Sequence, residues 1–442
     1  YNEMAHYLGV PESDRADFNY MRKNVGHTRR VMEPNIEPNI VVIFLESFSY
    51  HKTDFYGSPI NTTPYFTALA RDGLFFKNFF TPHIGTARAV FSTLTGIPDV
   101  ETHNTSTRNP MIVCQTSLVI AFGGHQKFYF LGGSASWGNI RGLISHNIPD
   151  ITIYEEGDYD SPRVDVWGIS DLALFQEANA VLKQQKKPFF AIIQTAGNHR
   201  PFTIPKDNDG FVIRSLDSKT LDQNGFESVA AWNAFRLLDH SLGRFIEKAR
   251  QESYFDNTLF VFFGDHGMMD KTTQYMPQWE RELNLHGLHV PFVIYGPKLI
   301  PQGKVYTTLA SLPDILPTLA GLALDQYQET TLGRNLLDPR FDSDRAVFTI
   351  AHSAIPQIGL MDNQFYFTMN EGGTHPGLFA LDGKTPGENM LAKFPEKGAI
   401  MRRLLTGVHE TSKYMLYHAA DGRSECTASA GRGSLPTPLH DE

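Results

Sequence analysis

The 442 residues exceed what one hydrophobic core usually serves, so one large domain with a smaller companion is expected. Hydrophobic residues make up 41%, charged residues 20%, and 32 Phe and 17 Tyr add aromatic mass, which excludes a mainly disordered chain. Lys+Arg 39 against Asp+Glu 48 leaves a formal charge of -9, which argues against a nucleic-acid partner and against electrostatic docking on anionic lipid.

Only Cys114 and Cys426 are present, so no disulfide framework is expected and the redox compartment stays open. The longest apolar runs, 40–45 and 259–263, are too short to span a bilayer. The chain starts at Tyr1 without a signal-peptide pattern, which reads as a fragment or processed form with any membrane anchor outside it.

Residues 1–38 are polar and turn-rich and read as a lead-in segment. The run Asn39-Ile-Val-Val-Ile-Phe-Leu45 reads as a strand buried on both faces, and 128–131, 189–194, 258–263 and 290–295 repeat the pattern. Helical stretches alternate with them at 63–72, 86–94, 171–185, 228–250 and 312–320. That alternation predicts an α/β catalytic domain over 39–345, with a doubly wound, mostly parallel central sheet flanked by helices. Residues 346–418 change character: short strands at 347–351, 358–361 and 364–369, then a helix at 397–409, predict a small C-terminal α+β subdomain with an antiparallel sheet. Residues 419–442 read as a flexible tail.

Ligands of doubly wound sheets collect at the carboxyl ends of strands. Glu46 follows the first strand, and Gly264-Asp265-His266-Gly267 closes the strand over 258–263. Gly85-Thr86 opens a helix, where backbone N–H groups and the dipole favour an anion. Asp, Glu, His and a hydroxyl form a hard donor set suited to Mn²⁺, Mg²⁺ or Zn²⁺. His199 in Gly197-Asn-His-Arg200, His286 in Leu285-His-Gly287, and Trp137 and Arg141 after 128–131 are further candidates. Each alone has an ordinary explanation, such as a helix cap, a solvated loop histidine or a core Trp. Their conjunction at strand ends points to an active site.

These residues resemble the sulfatase-like branch of the alkaline phosphatase superfamily over about 39–337. The likeness rests on Asn39 to Glu46, Thr62-Thr-Pro64, Gly264-Asp-His-Gly267, and Leu312-Pro-Asp-Ile-Leu-Pro-Thr-Leu-Ala-Gly321 before Gly333-Arg334. Thr86 stands where sulfatases carry the Cys or Ser converted to formylglycine, and the Pro-Ser-Arg that follows there is missing, which disfavours sulfate-ester hydrolysis. A threonine here resembles the lipoteichoic acid synthase-like phosphoglycerol transferases.

That resemblance implies one divalent ion, Mn²⁺ first, on Glu46, Thr86, Asp265 and His266. Thr86 would be the nucleophile and His199 the acid–base group. Trp137, Arg141, His199 and His286 would bind substrate. Superfamily members with a second metal hold it partly through an Asp whose place is Thr195 here, so a single metal is expected. The implied reaction moves glycerophosphate from phosphatidylglycerol to a glycerol or sugar hydroxyl through a phospho-threonine. The implied setting is the catalytic ectodomain of a membrane-anchored bacterial enzyme outside the cytoplasmic membrane, with a phospholipid donor and a glycan or glycerol-phosphate acceptor. Alternatives are phosphoethanolamine transfer, which the Leu285-His-Gly-Leu288 stretch resembles, or a phosphodiesterase or sulfatase of the same fold.

Overall fold

The computed structural model describes residues 1–12, 15, 22–25, 37–269, 271–301, 303–381 and 385–418. The expected tail at 419–442 and much of the expected lead-in lie outside them. The strands are β1 (Arg22–Val25), β2 (Asn39–Leu45), β3 (Leu74–Phe76), β4 (Gln126–Leu131), β5 (Ile151–Tyr154), β6 (Phe189–Gln194) and β7 (Thr258–Gly264). They continue with β8 (Phe292–Tyr295), β9 (Lys304–Tyr306), β10 (Gln326–Glu329), β11 (Val347–Ala351), β12 (Gln357–Met361), β13 (Phe365–Asn370) and β14 (Gly377–Ala380).

Eight strands form the central sheet in the order β5-β4-β6-β2-β7-β8-β3-β9. The β5 to β7 portion is all parallel. Strand β8 runs antiparallel to both β7 and β3, while β3 and β9 are parallel to each other. Because β8 is reversed, its amino end lies at the edge where β2 and β7 have their carboxyl ends. The loop over 286–291 therefore joins the loops that the parallel strands deliver there.

All seven residues of β2 are buried, as its unbroken aliphatic run requires. Side chains alternate between the faces. Ile40, Val42 and Phe44 join a core with the helices Thr86–Thr95, Ile140–Asn147 and Ile315–Ala323. Val41, Ile43 and Leu45 join another with Pro64–Asp72, Asp171–Leu182 and Val229–Ala249. The sheet is thus covered on both sides, as a doubly wound α/β fold demands.

The small C-terminal sheet has the order β11-β12-β13-β14, antiparallel throughout. The helix Pro395–His418 covers it, longer than the sequence suggests. It also meets an amino-terminal helix, Asn2–Tyr7, whose Met4 and Ala5 are fully buried, so the opening residues contribute to the core. The expected helix at 312–320 divides into a 3₁₀ turn, Leu312–Asp314, and the α-helix Ile315–Ala323, with Ser311 and Asp314 forming a capping box. The short strands β3, β5, β9 and β14 escape a periodicity reading because three or four residues show too little pattern. Cys114 is buried and disulfide-bonded. Among the described residues no helix is long and apolar enough to cross a membrane.

Candidate active site

The loops at the carboxyl edge surround a cleft of about 700 Å³ whose lining includes Glu46, Thr86, Trp137, Trp167, Asn198, His199 and His266. Glu46 leaves β2 directly, and Ser47 turns the chain away with φ +52, in the left-handed region. A serine in that region is strained, and its neighbours hold it there. The Ser47 N–H donates to Asp265 Oδ1 at 2.8 Å, and the Ser47 hydroxyl donates to Glu46 Oε1 at 2.7 Å. One turn thereby fixes two carboxylates from two adjacent strands.

Asp265 and His266 follow β7, and both are buried. Asp265 Oδ1 also accepts from the His266 N–H at 2.8 Å, whereas Oδ2 is buried without a hydrogen-bond partner. His266 Nδ1 lies 2.9 Å from the carbonyl of Gly267. A carbonyl only accepts, so Nδ1 carries the proton and Nε2 of the neutral ring offers its lone pair to the site. His266 Nε2 is 3.6 Å from Asp265 Oδ2 and 3.9 Å from Glu46 Oε1.

Thr86 is the first residue of the helix Thr86–Thr95, preceded by Gly85 at φ +111, a backbone that a side chain would strain. Its hydroxyl donates to Glu46 Oε2 at 3.0 Å and stands 3.4 Å from His266 Nε2. The helix start also aims backbone N–H groups at the same place. Glu46, Asp265, His266 and Thr86, expected together from sequence, converge.

The donor set fits a divalent cation. Among the described residues Glu46, Asp265 and His266 form the one group of three with ligand atoms all within 4.8 Å of one another. Burial, then the Asp265 carboxylate, pushes Glu46 up to about 8, with His266 opposing. Burial lowers His266, but the Asp265 and Glu46 carboxylates outweigh it and raise it overall. Two buried carboxylates with one orphaned oxygen are a charge imbalance that a cation relieves. Thr195 occupies the place of the expected missing aspartate; its hydroxyl accepts from the Glu46 N–H and donates to the Phe44 carbonyl.

The remaining candidates divide. His199 is exposed in the cleft, its ring 4.3 Å from that of Trp167. Its loop is held by Asp171, which accepts from the N–H groups of Ala196 and Gly197, and by Asn198, whose amide donates to the carbonyls of Glu46 and Ser47. Trp137 lines the cleft and meets Trp167 edge to face at 6.0 Å. Arg141 does not line it: the guanidinium is paired with Glu155, which also receives the Ala135 N–H, so it braces the turn that carries Trp137. His286 is buried behind the cleft, its ring 6.1 Å from His51, and is absent from the lining. Sequence spacing placed these two near the right loops without showing which way they turn.

Trp167 and Arg108 line the cleft and were not anticipated. Gly168 carries the only signal for Trp167: at φ +102, a Cβ there would sit 1.8 Å from the Gly132 carbonyl oxygen, so the loop must close on the β4 turn. Arg108 belongs to a 3₁₀ turn, Ser106–Arg108, which carries no chemical motif.

Comparison with known proteins agrees with this geometry. The Sulfatase family model matches residues 38–325, and the chain belongs to that family. It is 26% identical over 371 residues to lipoteichoic acid synthase 1 of Bacillus subtilis (strain 168), covering 77% of this chain and 55% of that protein. It is 25% identical over 416 residues to an ulvan-active sulfatase of Formosa agariphila, covering 83% of this chain and 80% of that one. The chain thus spans about half the length of the lipoteichoic acid synthase it matches.

Two solved structures share the fold. An alkaline phosphatase superfamily protein from Vibrio parahaemolyticus has a TM-score of 0.75 at 20% identity, covering 94% of this chain and 97% of that one. The lipoteichoic acid synthase LtaP from Listeria monocytogenes has a TM-score of 0.73 at 19% identity, covering 93% and 98%. The chain is a sulfatase-family enzyme, similar to lipoteichoic acid synthases as well as to sulfatases, of the phosphoryl or sulfuryl transfer or hydrolysis kind. Glu46, Asp265 and His266 are the candidate metal site.

Proposed function

We propose that the protein is a metal-dependent phosphoglycerol transferase that moves glycerophosphate from phosphatidylglycerol to a glycerol or sugar hydroxyl through a phospho-Thr86. The observation that carries this reading is the Thr86 hydroxyl itself. It stands at the start of its helix, 3.0 Å from Glu46 Oε2 and 3.4 Å from His266 Nε2. A sulfatase nucleophile would be a converted Cys or Ser at that position.

Glu46, Asp265 and His266 would hold a divalent cation, manganese by preference and zinc or magnesium otherwise, which would supply the positive charge that acidifies the threonine hydroxyl. The Thr86 hydroxyl passes its proton to Glu46 Oε2 along their hydrogen bond as its oxygen attacks phosphorus, and the bond from phosphorus to the diacylglycerol oxygen breaks. His199 gives that oxygen its proton as diacylglycerol leaves. An acceptor hydroxyl then passes its proton back to His199 and attacks the phosphoryl group, the bond from phosphorus to the Thr86 oxygen breaks, and that oxygen takes its proton back from Glu46. The N–H groups at the helix start face the phosphoryl oxygens, and Trp137 and Trp167 enclose the headgroup.

The setting follows the same reading: the ectodomain of a membrane-anchored bacterial enzyme, outside the cytoplasmic membrane, with a phospholipid donor and a glycan or glycerol-phosphate acceptor. The disulfide at Cys114 fits an oxidising compartment. The similarity to the ulvan-active sulfatase over 83% of the chain favours, as a second reading, hydrolysis of a sulfate ester. A donor screen separates them. Purified, metal-loaded protein is offered phosphatidylglycerol, phosphatidylethanolamine and 4-nitrophenyl sulfate. Release of diacylglycerol from phosphatidylglycerol alone supports the proposal. Release from phosphatidylethanolamine moves it to phosphoethanolamine, and nitrophenol from the sulfate alone overturns it.

A further inference from the structure

Four arginines line the cleft: Arg88, Arg108, Arg163 and Arg200. Three are neutralised by carboxylates. Arg88 meets Asp99 at 3.1 Å and also donates to the Glu101 carbonyl, Arg163 is paired with Glu156, and Arg200 with Glu227. Arg108 differs. Among the described residues its guanidinium has no carboxylate, carbonyl or ring partner, although the side chain is exposed at the cleft wall.

The backbone that carries it is nevertheless well anchored. Asp99 accepts from both the Ser106 N–H and the Ser106 hydroxyl, and the Thr107 carbonyl receives the Asn139 amide. That last bond ties the Arg108 turn to the Trp137–Asn139 turn, and Gly138 in turn lies against the nucleophile's helix, where an added Cβ would be 3.2 Å from Ala87. A free guanidinium on a fixed turn, facing the same cavity as the helix start at Thr86, is a built receptor for an anion.

We propose that Arg108 is the residue that receives the negative charge of the ester in this cleft, the role that the family resemblance implied for Arg141. The ligand class is a phosphoryl or sulfuryl monoanion or dianion, gripped on its non-bridging oxygens while the Trp137 and Trp167 rings hold the organic group. This rests on the cleft being the substrate site, and it holds whichever ester is turned over. The charges of the paired arginines are already offset by Asp99, Glu156 and Glu227, which leaves Arg108 the stronger attractor of an anion.

The test uses binding, so that it does not depend on turnover. Metal-loaded protein carrying Thr86→Ala is titrated calorimetrically with glycerol 3-phosphate and, separately, with inorganic sulfate. Adding Arg108→Gln weakens the preferred anion about 10-fold to 100-fold, in line with loss of a charge-assisted hydrogen bond. Adding Arg108→Lys restores part of it, and Arg402→Gln on the C-terminal helix leaves it unchanged. Equal affinity with and without Arg108→Gln overturns the proposal, as does failure of the Thr86→Ala protein to bind either anion. If phosphatidylglycerol is not a donor but glycerol phosphate or sulfate binding still requires Arg108, the transferase reading falls and the assignment of Arg108 stands.

Discussion

The Thr86 hydroxyl donates to Glu46 Oε2 at 3.0 Å, joining the start of one helix to the end of the sheet's central strand β2. This bond places the proposed nucleophile against a buried carboxylate that also belongs to the candidate cation site. Thr86→Ala is expected to lower turnover at least about 10³-fold while the fold and metal content survive. Thr86→Ser retains a measurable fraction, because the hydroxyl stays and only the methyl is lost. Circular dichroism and metal analysis alongside steady-state kinetics check both points.

Removing the cation separates a catalytic ion from an ornamental one. Dialysis against a chelator abolishes activity and lowers the melting temperature, since Asp265 Oδ2 and Glu46 are left as uncompensated buried carboxyls. Asp265→Asn reproduces the loss of activity, and its metal affinity falls more than about 100-fold. Titrating Mn²⁺, Zn²⁺ and Mg²⁺ back into the chelated protein identifies which ion restores both turnover and melting temperature.

Trp167 forms one wall of the cleft, its indole N–H fixed to the Arg200 carbonyl at 2.7 Å. Trp167→Ala is expected to raise KM about fivefold to tenfold with a smaller change in kcat, the size of one lost aromatic contact. Gly168→Ala acts differently: its Cβ would collide with the Gly132 carbonyl oxygen, so the loop must move and stability falls as well. Comparing melting temperatures with KM values distinguishes the two.

Asp171 holds the His199 loop, and burial raises it from 3.8 to about 6, with the N–H groups of Ala196 and Gly197 opposing. The folded state keeps this proton over a range where the unfolded chain releases it. Its contribution to stability is therefore fully present below pH 3.8 and is lost as pH rises through about 6. Asp171→Asn removes that dependence. Urea denaturation from pH 3.5 to 7 is expected to show the variant gaining on the parent as pH rises, by about 1 to 3 kcal/mol across the window.

The fold and the metal cluster were readable in the sequence for a physical reason. Buried parallel strands such as Asn39–Leu45 must be apolar on both faces, and the first polar residue after each marks the sheet edge. Glu46, Asp265 and His266 are those residues. The position of Thr86 at a helix start was legible through Gly85, whose positive φ the turn requires. The substrate wall was not. Whether Arg141 or Arg108 faces the cleft depends on which finds a carboxylate, and Glu155 is fourteen residues from the arginine it neutralises. His286 reaches the edge as its spacing shows, and its ring lies beside that of His51, outside the cleft lining, which spacing does not reveal. Trp167 sits on an irregular loop with no periodicity to mark it.

The most direct test of the central claim is capture of the covalent enzyme. Metal-loaded protein is quenched in acid after brief exposure to phosphatidylglycerol without acceptor, digested, and sequenced by mass spectrometry. A glycerophosphate on Thr86, absent from Asp265→Asn, is the predicted result. Diacylglycerol release with Thr86 unmodified at every quench time, or the group on a different side chain, would contradict it.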